Sequence, residues 1–437
     1  MKYYCIGIKG SGMSTLAQIL FDLGNDVSGY DDTKEYKFTE EGLNKRNIKI
    51  YHDNNHDIDK DTIVTYSKAF SLEHPEIKRV KELGFKIIPY NDLLGKLSLE
   101  FKTIAVAGTH GKTTTSTMIS HILKNSIGCN YFIGDGTGFA SSKNELFVLE
   151  SCEYQKHFLS YTPYYAIITN IELEHTECYK DINEIISTFE KFANKAKTVI
   201  ACGDDINIRK MNLDNKVIYY GFNDDNYIKA KNILLKESGS EFDLYIDNNF
   251  SGHFDVPLYG KHMILDALAA ITVCYMENVN KDIISNNLHT FSNAKRRFKI
   301  KEFKNVITID DYAHHPTEIK VTITSAKQKY PNKEVVAVFL PNTYSRTKDL
   351  MDDFVDALKI ADKAYVMDIY CDREKKEDYP FVSSDELIKK IPNSEKISLD
   401  TVKKLLKHDN AVICFMSCTN IYEILNKFHT LLENKNN

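Results

Sequence analysis

The sequence lacks the long apolar runs and paired cysteines that mark membrane, secreted and zinc-binding proteins. No apolar run approaches the roughly 20 residues that a membrane helix needs, and the opening stretch MKYYCIGIKGSG has no apolar core of the signal-peptide kind. The nine cysteines are scattered, and none of them forms a CxxC pair. Such a pattern is typical of reduced thiols. We therefore expect a cytoplasmic protein that does not bind membranes and has no disulfide framework or zinc site.

An excess of positive charge, internal repeats and low-complexity tracts are also absent. The formal net charge is −5, which argues against a nucleic-acid binder. The 437 residues predict about three domains, and 43% apolar with 27% charged residues is typical of a globular protein with a sizeable core. A monomer and a homodimer both stay open.

What the sequence does contain is a regular alternation of short apolar runs and segments with helical periodicity. This alternation is typical of parallel sheets covered by helices. New series of alternating strands and helices begin near residues 101 and 295. We therefore predict an α/β fold with three domains, at residues 1–100, 101–294 and 295–437. The segment from 216 to 258 differs, because its apolar residues alternate as in antiparallel strands.

Short polar clusters directly follow the predicted strands. Ligands of parallel sheets bind beyond the carboxyl ends of the strands, so position alone selects these clusters as candidate site segments. They are KGSG, GTHGKT, SCEY, NIELEH, DDYAHHP, PNTYSR and MSCTN.

The cluster GTHGKT resembles a phosphate-binding loop whose first glycine is displaced. The usual P-loop motif would have that glycine at position 106, where this chain has Val106. Gly108 follows two residues later. Backbone N–H groups of a glycine turn and of a helix N-terminus bind phosphate. Lys112 would reach the terminal phosphates and Thr113 would ligate Mg²⁺. The alternative is a structural turn, but the order of strand, glycine turn, Lys-Thr and helix favours a nucleotide site.

The stretch GIKGSGM places three glycines between a strand and a helix, in an order that differs from the dinucleotide motif GxGxxG. It could bind a pyrophosphate, with Asp31 or Asp32 at a ribose, or serve only as a turn. An NAD-dependent oxidoreductase is disfavoured, because the glycine order is wrong and a second nucleotide loop at Lys112 would be unexplained.

Acidic and basic side chains follow neighbouring strands in the second and third predicted domains. Carboxylates and an imidazole close to Thr113 would suit Mg²⁺ chemistry. Arg296 and Arg297 fit either an anion clamp or an ordinary surface. The alternative for the acidic residues is a solvated loop, above all for Glu150 and Glu172. The candidates are Glu150, Glu153, Glu172, Glu174 and His175.

Taken in order, these segments resemble the Mur ligases, ATP-dependent enzymes of peptidoglycan precursor synthesis. The resemblance runs from residue 3 to at least residue 430, and rests on GTHGKT, GIKGSGM, YGKH, KRRF, DDYAHHPTEI and PNTYSRT. It implies a Rossmann-like domain for a UDP sugar, a central P-loop ATPase-type domain, and a Rossmann-like C-terminal domain that closes over both. The implied reaction uses ATP and Mg²⁺ to join L-alanine to the lactyl carboxylate of UDP-N-acetylmuramate.

The resemblance also implies roles for individual residues. The implied catalytic residues are Lys112, His314 and Arg346. The implied nucleotide-binding residues are Gly108, Thr109, His110, Gly111, Lys112, Thr113, Thr114, His262, Asp266, Arg297 and Asp311. The implied metal ligands are Thr113, Glu153 and His175. The UDP substrate would contact Gly10, Ser11, Gly12, Met13, Asp31 and Asn342.

Four places depart from the family's pattern. Asp266 replaces an asparagine, and because a carboxylate only accepts hydrogen bonds, we expect weaker ATP binding. Asn342 replaces a histidine and Glu174 an aspartate. Residues 417–420 lack two glycines in a turn where positive φ or close ligand approach is expected. These changes leave open a ligase for another amino acid or acceptor, or a non-catalytic nucleotide-binding relative.

Overall fold

A computed structural model of the chain describes residues 1–175, 178–294, 296–371 and 374–436. It contains three sheets, each formed by one continuous part of the sequence and flanked by helices. The predicted α/β class with three domains is thereby confirmed. We retain residues 1–100, 101–294 and 295–437 as the proposed domain limits.

The first domain is built on a five-stranded sheet. Its strands are β1 (Lys2–Ile6), β2 (Asp26–Tyr30), β3 (Lys49–Tyr51), β4 (Thr62–Tyr66) and β5 (Ile87–Pro89). Its helices are α1 (Ser11–Asp22), α2 (Glu40–Asn44), α3 (Pro75–Glu82) and α4 (Tyr90–Ser98). All strand pairs are parallel, in the order β3-β2-β1-β4-β5. The carboxyl end of β1 therefore lies at the centre of the sheet and leads directly into α1.

The central domain contains a ten-stranded sheet. Its strands are β6 (Lys102–Ala107), β7 (Asn130–Ile133), β8 (Thr137–Phe139), β9 (Leu146–Glu150), β10 (Tyr165–Ile168), β11 (Thr198–Cys202), β12 (Lys216–Gly221), β13 (Ile228–Lys236), β14 (Gly239–Ile246) and β15 (Asn249–Val256). Its helices are α5 (Lys112–Lys124), α6 (Ile182–Ala193), α7 (Ile206–Arg209), α8 (Lys261–Met276) and α9 (Lys281–His289), with a 3₁₀ turn at Tyr154–Ser160. The order is β15-β14-β13-β12-β11-β10-β6-β9-β7-β8.

The antiparallel prediction for residues 216–258 is correct for β13, β14 and β15 and wrong for β12. Strand β12 pairs in parallel with both β11 and β13. Helix α8 packs against this strand, and Ile218 and Tyr220 are buried, whereas Val217 and Tyr219 are only partly covered. Unequal cover of its two faces produces the alternation that antiparallel strands commonly show.

The third domain contains a six-stranded sheet. Its strands are β16 (Lys299–Phe303), β17 (Val306–Asp311), β18 (Glu334–Phe339), β19 (Lys363–Val366), β20 (Ser394–Lys396) and β21 (Ala411–Met416). Its helices are α10 (Pro316–Lys329), α11 (Tyr344–Asp349), α12 (Met351–Leu358), α13 (Ser384–Lys390) and α14 (Tyr422–Asn436), with 3₁₀ turns at Lys376–Asp378 and Val402–Lys407. The order is β16-β17-β21-β18-β19-β20, with β16 antiparallel to β17 and the other pairs parallel.

The apolar cores join two of the domains and leave the third separate. Leu16 of α1 and Leu94 of α4 lie in the same buried cluster as Ile119 of α5. The two main clusters of the third domain contain no residue of the other two domains. Among the described residues, no helix has both the length and the apolar character needed to cross a membrane.

Candidate active site

The turn from β6 into α5 forms the candidate phosphate loop, and two of its glycines are required by the backbone. Gly108 has φ 147°, and a Cβ there would lie 1.9 Å from the Thr169 hydroxyl oxygen. Gly111 has φ 81° and directly precedes α5. Val106, by contrast, is a buried strand residue. The displaced glycine is therefore explained, because at position 106 the chain is still part of the sheet.

Lys112 is the first residue of α5, and its ammonium folds back over the loop. Its Nζ donates to the carbonyl oxygens of Gly108, at 2.5 Å, and Thr109, at 3.0 Å. Nζ also lies 2.9 Å from Glu153 Oε2. Burial lowers the pKa of Lys112, but the Glu153 carboxylate outweighs burial and the pKa is raised. Lys112 is therefore a buried cation at the loop.

Two loop N–H groups are already used within the protein. Asn170 accepts from the Thr109 N–H through its carbonyl, at 3.0 Å, and from the His110 N–H through Oδ1, at 2.8 Å. Within the described part of the chain, the N–H groups of residues 111–114 have no hydrogen-bond acceptor. An α-helix leaves its first N–H groups unpaired, and these bind anions. The loop therefore offers phosphate the start of α5 rather than the N–H groups of Thr109 and His110.

The three predicted metal ligands lie in two neighbouring pairs, one of which also contains Glu150. The Thr113 hydroxyl donates to Glu150 Oε1, at 2.9 Å, and Glu150 Oε2 accepts from the Gly134 N–H, at 2.6 Å. Glu153 Oε1 lies 3.7 Å from His175 Nε2. Glu153 Oε2 is buried and receives no well-aligned hydrogen bond. A buried carboxylate oxygen with a spare lone pair fits a Mg²⁺ ligand.

Glu150 belongs to this network, so the solvated acidic loop that we left open does not describe it. Glu172 lies outside the network and is partly exposed. Burial raises the pKa of Glu150, although the Gly134 N–H and Lys112 oppose the rise. Glu172 accepts from the Thr317 hydroxyl at 2.7 Å, so it reaches across to the third domain.

A second group of possible metal ligands lies nearby. Ligand atoms of His110, Glu174 and His315 lie within 4.8 Å of one another. However, His110 Nδ1 lies 3.2 Å from Glu318 Oε1, and Nε2 lies 3.3 Å from Glu172 Oε2. Burial lowers the pKa of His110, but these carboxylates raise it to about 10. A protonated imidazole is not a metal ligand, so the group is better described as an ion-pair network.

A cavity of about 990 Å³ opens between the central and third domains. His262 and Asp266, one turn apart on α8, line it from the central side. Arg297 and Asp311 line it from the other side. All four residues were predicted to bind the nucleotide, and the structure brings them to one cavity next to Gly111. Burial lowers the pKa of His262 to about 4, so this imidazole is neutral.

Asp266 does not behave as an ordinary carboxylate. Its Oδ1 accepts from the Thr115 hydroxyl at 2.9 Å, and the side chain is buried. Burial raises its pKa to about 7, against the opposing effects of Thr115 and Arg297. A protonated carboxyl donates as well as accepts. Below a pH of about 7 Asp266 can therefore donate as well as accept, whereas above it the carboxylate only accepts, and weaker ATP binding stays a prediction.

Asp311 holds the start of the third domain. Its Oδ2 accepts from the Phe298 N–H at 2.7 Å and its Oδ1 accepts from the Ala313 N–H at 2.8 Å. Burial raises its pKa to about 6, although Arg297 opposes the rise. The guanidinium of Arg297 lies 5.1 Å from the centre of the Tyr312 ring. Arg297 and Asp311 thus share one wall of the cavity.

The third-domain residues Arg346 and Asn342 meet Glu174 of the central domain. Arg346 Nη2 and Nε donate to Glu174 Oε1, at 2.7 and 3.0 Å, and Nη1 donates to Asn342 Oδ1 at 3.4 Å. Burial raises the pKa of Glu174, but Arg346 outweighs it and holds the pKa well below the usual range. His314 Nδ1 lies 3.1 Å from Glu318 Oε2. The glutamate that replaces the family's aspartate therefore binds Arg346.

The glycine turn of the first domain lies at the start of α1. Asp31 is buried, and its oxygens accept from the N–H groups of Lys9, at 2.9 Å, and Thr33, at 3.1 Å. It therefore braces the turn. Of the other predicted contacts, Gly10, Ser11 and Gly12 form the turn and the helix start, whereas Met13 is a core residue. No hydrogen bond or ion pair described in the structure joins Asn342 to this turn.

None of the four residues in the turn at 417–420 has positive φ. The part of the expectation that concerned positive φ is therefore wrong, and close ligand approach stays a prediction. Arg296 Nη2 donates to the carbonyl oxygens of Ser417, at 2.9 Å, and Thr419, at 3.3 Å. The Arg296 guanidinium lies about midway between two aromatic rings, 5.0 Å from Tyr312 and 4.9 Å from Tyr422. Arg296 is thus a structural brace.

Several residues of the site were missed from the sequence. Asn170 fixes the loop backbone, Thr115 holds Asp266, and Thr317 and Glu318 connect the third domain to the loop. Glu318 had a readable signal, because a glutamate two residues after Pro316 is typical of the first turn of a helix. Asn170, Thr115 and Thr317 each bind a residue that is distant in sequence. No local sequence pattern reveals such a contact.

The comparisons with known proteins agree with this arrangement. Sequence models of a Mur ligase family catalytic domain, a Mur ligase middle domain and a Mur ligase glutamate ligase domain match residues 2–102, 106–274 and 296–417. UDP-N-acetylmuramate-alanine ligase MurC from Thermotoga maritima is similar over 100% of both chains, with 25% identity and a TM-score of 0.81. A murein peptide ligase from Psychrobacter arcticus covers 99% of both chains, with 22% identity and a TM-score of 0.69. MurF from Thermotoga maritima in complex with ADP matches 85% of this chain and 89% of its own, with 18% identity and a TM-score of 0.65.

Proposed function

The chain belongs to the Mur ligase family of ATP-dependent peptidoglycan ligases, and we propose that it joins L-alanine to the lactyl carboxylate of UDP-N-acetylmuramate. The observation that carries the proposal is the buried Lys112 ammonium, held 2.9 Å from Glu153 at the start of α5. It lies on the loop whose Gly111 and His110 line the cavity between two domains. The similarity to the alanine ligase of Thermotoga maritima over the full chain supports the choice of substrates.

The chemistry requires activation of a poor electrophile. A carboxylate is anionic and stabilised by resonance, and phosphorylation converts it to an acyl phosphate with a good leaving group. The amine of alanine then attacks the acyl carbon, and phosphate leaves. Lys112 and the N–H groups at the start of α5 would stabilise the negative charge of the transferred phosphoryl group. Such stabilisation is the main contribution a protein makes to this step.

We propose that Thr113, Glu153 and His175 hold magnesium. When bound, Mg²⁺ would supply charge neutralisation at the phosphates. The Thr113 hydroxyl donates its hydrogen to Glu150 Oε1 in the structure, which leaves the lone pairs of its oxygen available to bind the metal.

The nucleotide residues divide between two domains. The start of α5 from Gly111 to Thr114 would hold the phosphates, while His262 and Asp266 would contact the adenine. Arg297 and Asp311 would approach from the third domain. The Gly108 carbonyl and the backbone of Thr109 and His110 would contribute by shaping the loop and holding Lys112.

The residues that we propose for the substrates come from the first and third domains. We propose that Gly10, Ser11, Gly12 and Asp31 form the UDP side, with Met13 acting through packing. Arg346, His314 and Asn342 would face the sugar carboxylate and the amino acid. Arg346 is held by Glu174 in the structure, so it would orient the reactants as a fixed cation.

A second candidate is a ligase that adds another amino acid or a peptide to the same sugar. Two observations favour it. Asn342 replaces a histidine beside Arg346, and a murein peptide ligase is similar over 99% of the chain. Both candidates share the first, carboxylate-activating step, so they differ only in the nucleophile.

The deciding experiment is a screen of amino acids and short peptides with UDP-N-acetylmuramate, ATP and Mg²⁺. Phosphate release and product mass are measured together. We expect release that depends on L-alanine and a product heavier by one alanyl residue. Release with another nucleophile would replace the first candidate by the second, and no release with any nucleophile would contradict both.

A further inference from the structure

His110 of the phosphate loop lies between carboxylates of two domains. Its Nε2 lies 3.3 Å from Glu172 Oε2 of the central domain, and its Nδ1 lies 3.2 Å from Glu318 Oε1 of the third domain. Its ring stacks at an angle on His315, with ring centres 4.5 Å apart. One side chain of the loop therefore contacts the third domain directly.

The partner Glu318 is fixed on the third domain. Its Oε2 accepts from the N–H groups of His314, at 3.0 Å, and His315, at 3.2 Å. The His315 side chain in turn accepts from the Thr317 N–H, which completes a reciprocal cap at the start of α10. Such caps fix the first turn of a helix. The Glu318 side chain is therefore held in a fixed position relative to α10.

The loop end of the contact is equally rigid. The His110 N–H donates to Asn170 Oδ1, and the His110 carbonyl accepts from the Thr169 hydroxyl at 2.6 Å and from Asn170 Nδ2 at 3.0 Å. These bonds leave the imidazole little freedom to move independently of the loop. A shift of α10 that breaks the pair would remove one of the two carboxylates that His110 contacts and would leave Glu318 Oε1 without the imidazole, which is unfavourable for buried charged groups.

Helix α10 also touches the central domain further along its length. Gln328 Oε1 accepts from the Gly260 N–H at 2.7 Å, and the Ser325 hydroxyl donates to the Tyr259 carbonyl at 3.0 Å. Gly260 directly precedes α8, which carries His262 and Asp266. The first turn of α10 therefore contacts the phosphate loop. Its last turns contact the residues that directly precede α8.

We propose that His110 is a positioning residue that couples docking of the third domain to the geometry of the phosphate loop, with Glu318 as its partner. This inference rests on the proposed function, because the loop is taken to hold the phosphoryl donor. ATP can bind to the central domain before the third domain docks. The His110–Glu318 contact then forms only in the docked state and places the start of α5 and Lys112 for phosphoryl transfer.

Loss of the contact should therefore lower kcat more than it raises the KM for ATP. Charge-assisted hydrogen bonds of buried groups are the strong ones, so we expect kcat to fall about 10- to 100-fold in His110→Gln and in Glu318→Gln. The loss of kcat in the double variant should be smaller than the product of the two single losses, because both variants remove the shared His110–Glu318 contact. His110→Lys, which retains a cation, should recover part of the loss.

Asp356→Asn is the matched control. It removes one carboxylate charge from the third domain, where Asp356 forms an exposed pair with Lys359. We expect its kinetics to equal those of the parent chain. Melting temperatures of all variants show whether each is folded.

Docking is measured separately by small-angle X-ray scattering with a non-hydrolysable ATP analogue. The parent chain and Asp356→Asn should contract on adding the analogue, and His110→Gln and Glu318→Gln should contract less. Additive losses in kcat, or full contraction and unchanged kcat in both single variants, would overturn the coupling. If the parent chain releases no phosphate with any amino acid, the proposed reaction fails, while the scattering experiment still tests the coupling.

Discussion

Asp266 is a residue at which burial changes the chemistry that its type suggests. With a pKa of about 7, it is mainly protonated below that pH and ionised above it. Only the protonated form can donate to an adenine ring nitrogen. The KM for ATP should therefore rise as pH increases from about 6 to about 8, by up to about tenfold for a shift of one unit past the pKa.

Asp266→Asn provides the comparison, because an amide donates and accepts at every pH. Its KM for ATP should be lower than that of the parent chain at pH 8 and nearly equal at pH 6. Steady-state kinetics over this range checks the prediction. Parallel pH profiles for the two proteins would show that the ionisation of Asp266 does not govern adenine binding.

Lys112 is the residue on which the proposed reaction most depends. Lys112→Ala removes the cation that contacts Gly108, Thr109 and Glu153, so alanine-dependent phosphate release should fall by at least about 100-fold, the scale of losing one strong electrostatic contact. Lys124→Ala, at the exposed far end of the same helix, is the control and should retain activity. Full activity of Lys112→Ala would refute the role of the loop.

The polar turns after parallel strands could be located from the sequence. The turns that follow Ala107, Ile168 and Asp311 each come after a short apolar run, and the carboxyl ends of parallel strands meet at one edge. Local patterns could not show which turns face one another across domains. The Arg346–Glu174 and His110–Glu318 pairs join residues 172 and 208 positions apart, a separation that only the tertiary structure resolves.

The positions of residues with positive φ could not be predicted from the sequence either. At residues 417–420, the absence of two glycines predicted positive φ or close ligand approach, yet no residue there has positive φ. Thr343, for which the sequence predicts no unusual backbone angle, has φ 67° and ψ 142° at the start of α11. A β-branched residue rarely adopts such angles. The strain therefore lies beside Arg346, within the candidate site.

Thr343→Gly should relieve this strain. Left-handed conformations cost a non-glycine residue about 1–2 kcal/mol, and glycine loses part of the gain through its freer unfolded state. We expect the free energy of unfolding to rise by about 1 kcal/mol, measured by urea denaturation. Thr347→Gly, in the helical interior of α11, is the control and should be destabilising. A loss of stability in Thr343→Gly would mean that its side chain contributes more than the strain costs.

The three domains are held together in two different ways. The first and central domains share one apolar core, which includes Leu94 and Ile119. The third domain meets the central domain through polar pairs such as Arg346 with Glu174 and Gln328 with Gly260. Apolar cores are not easily separated, whereas hydrogen-bonded interfaces can open and reform. The whole molecule thus consists of two domains that share one apolar core and a third domain that is joined to them by polar contacts.

This arrangement predicts two thermal transitions, because the apolar clusters of the third domain contain no residue of the other two domains. Leu94→Ala removes a buried side chain of the shared core, and Ile413→Ala removes one from the third domain. Each should cost about 2–5 kcal/mol. In differential scanning calorimetry, Leu94→Ala should lower one transition and Ile413→Ala the other. A single transition lowered by both variants would mean that the polar interface couples all three domains into one cooperative unit, and undocking would then require unfolding.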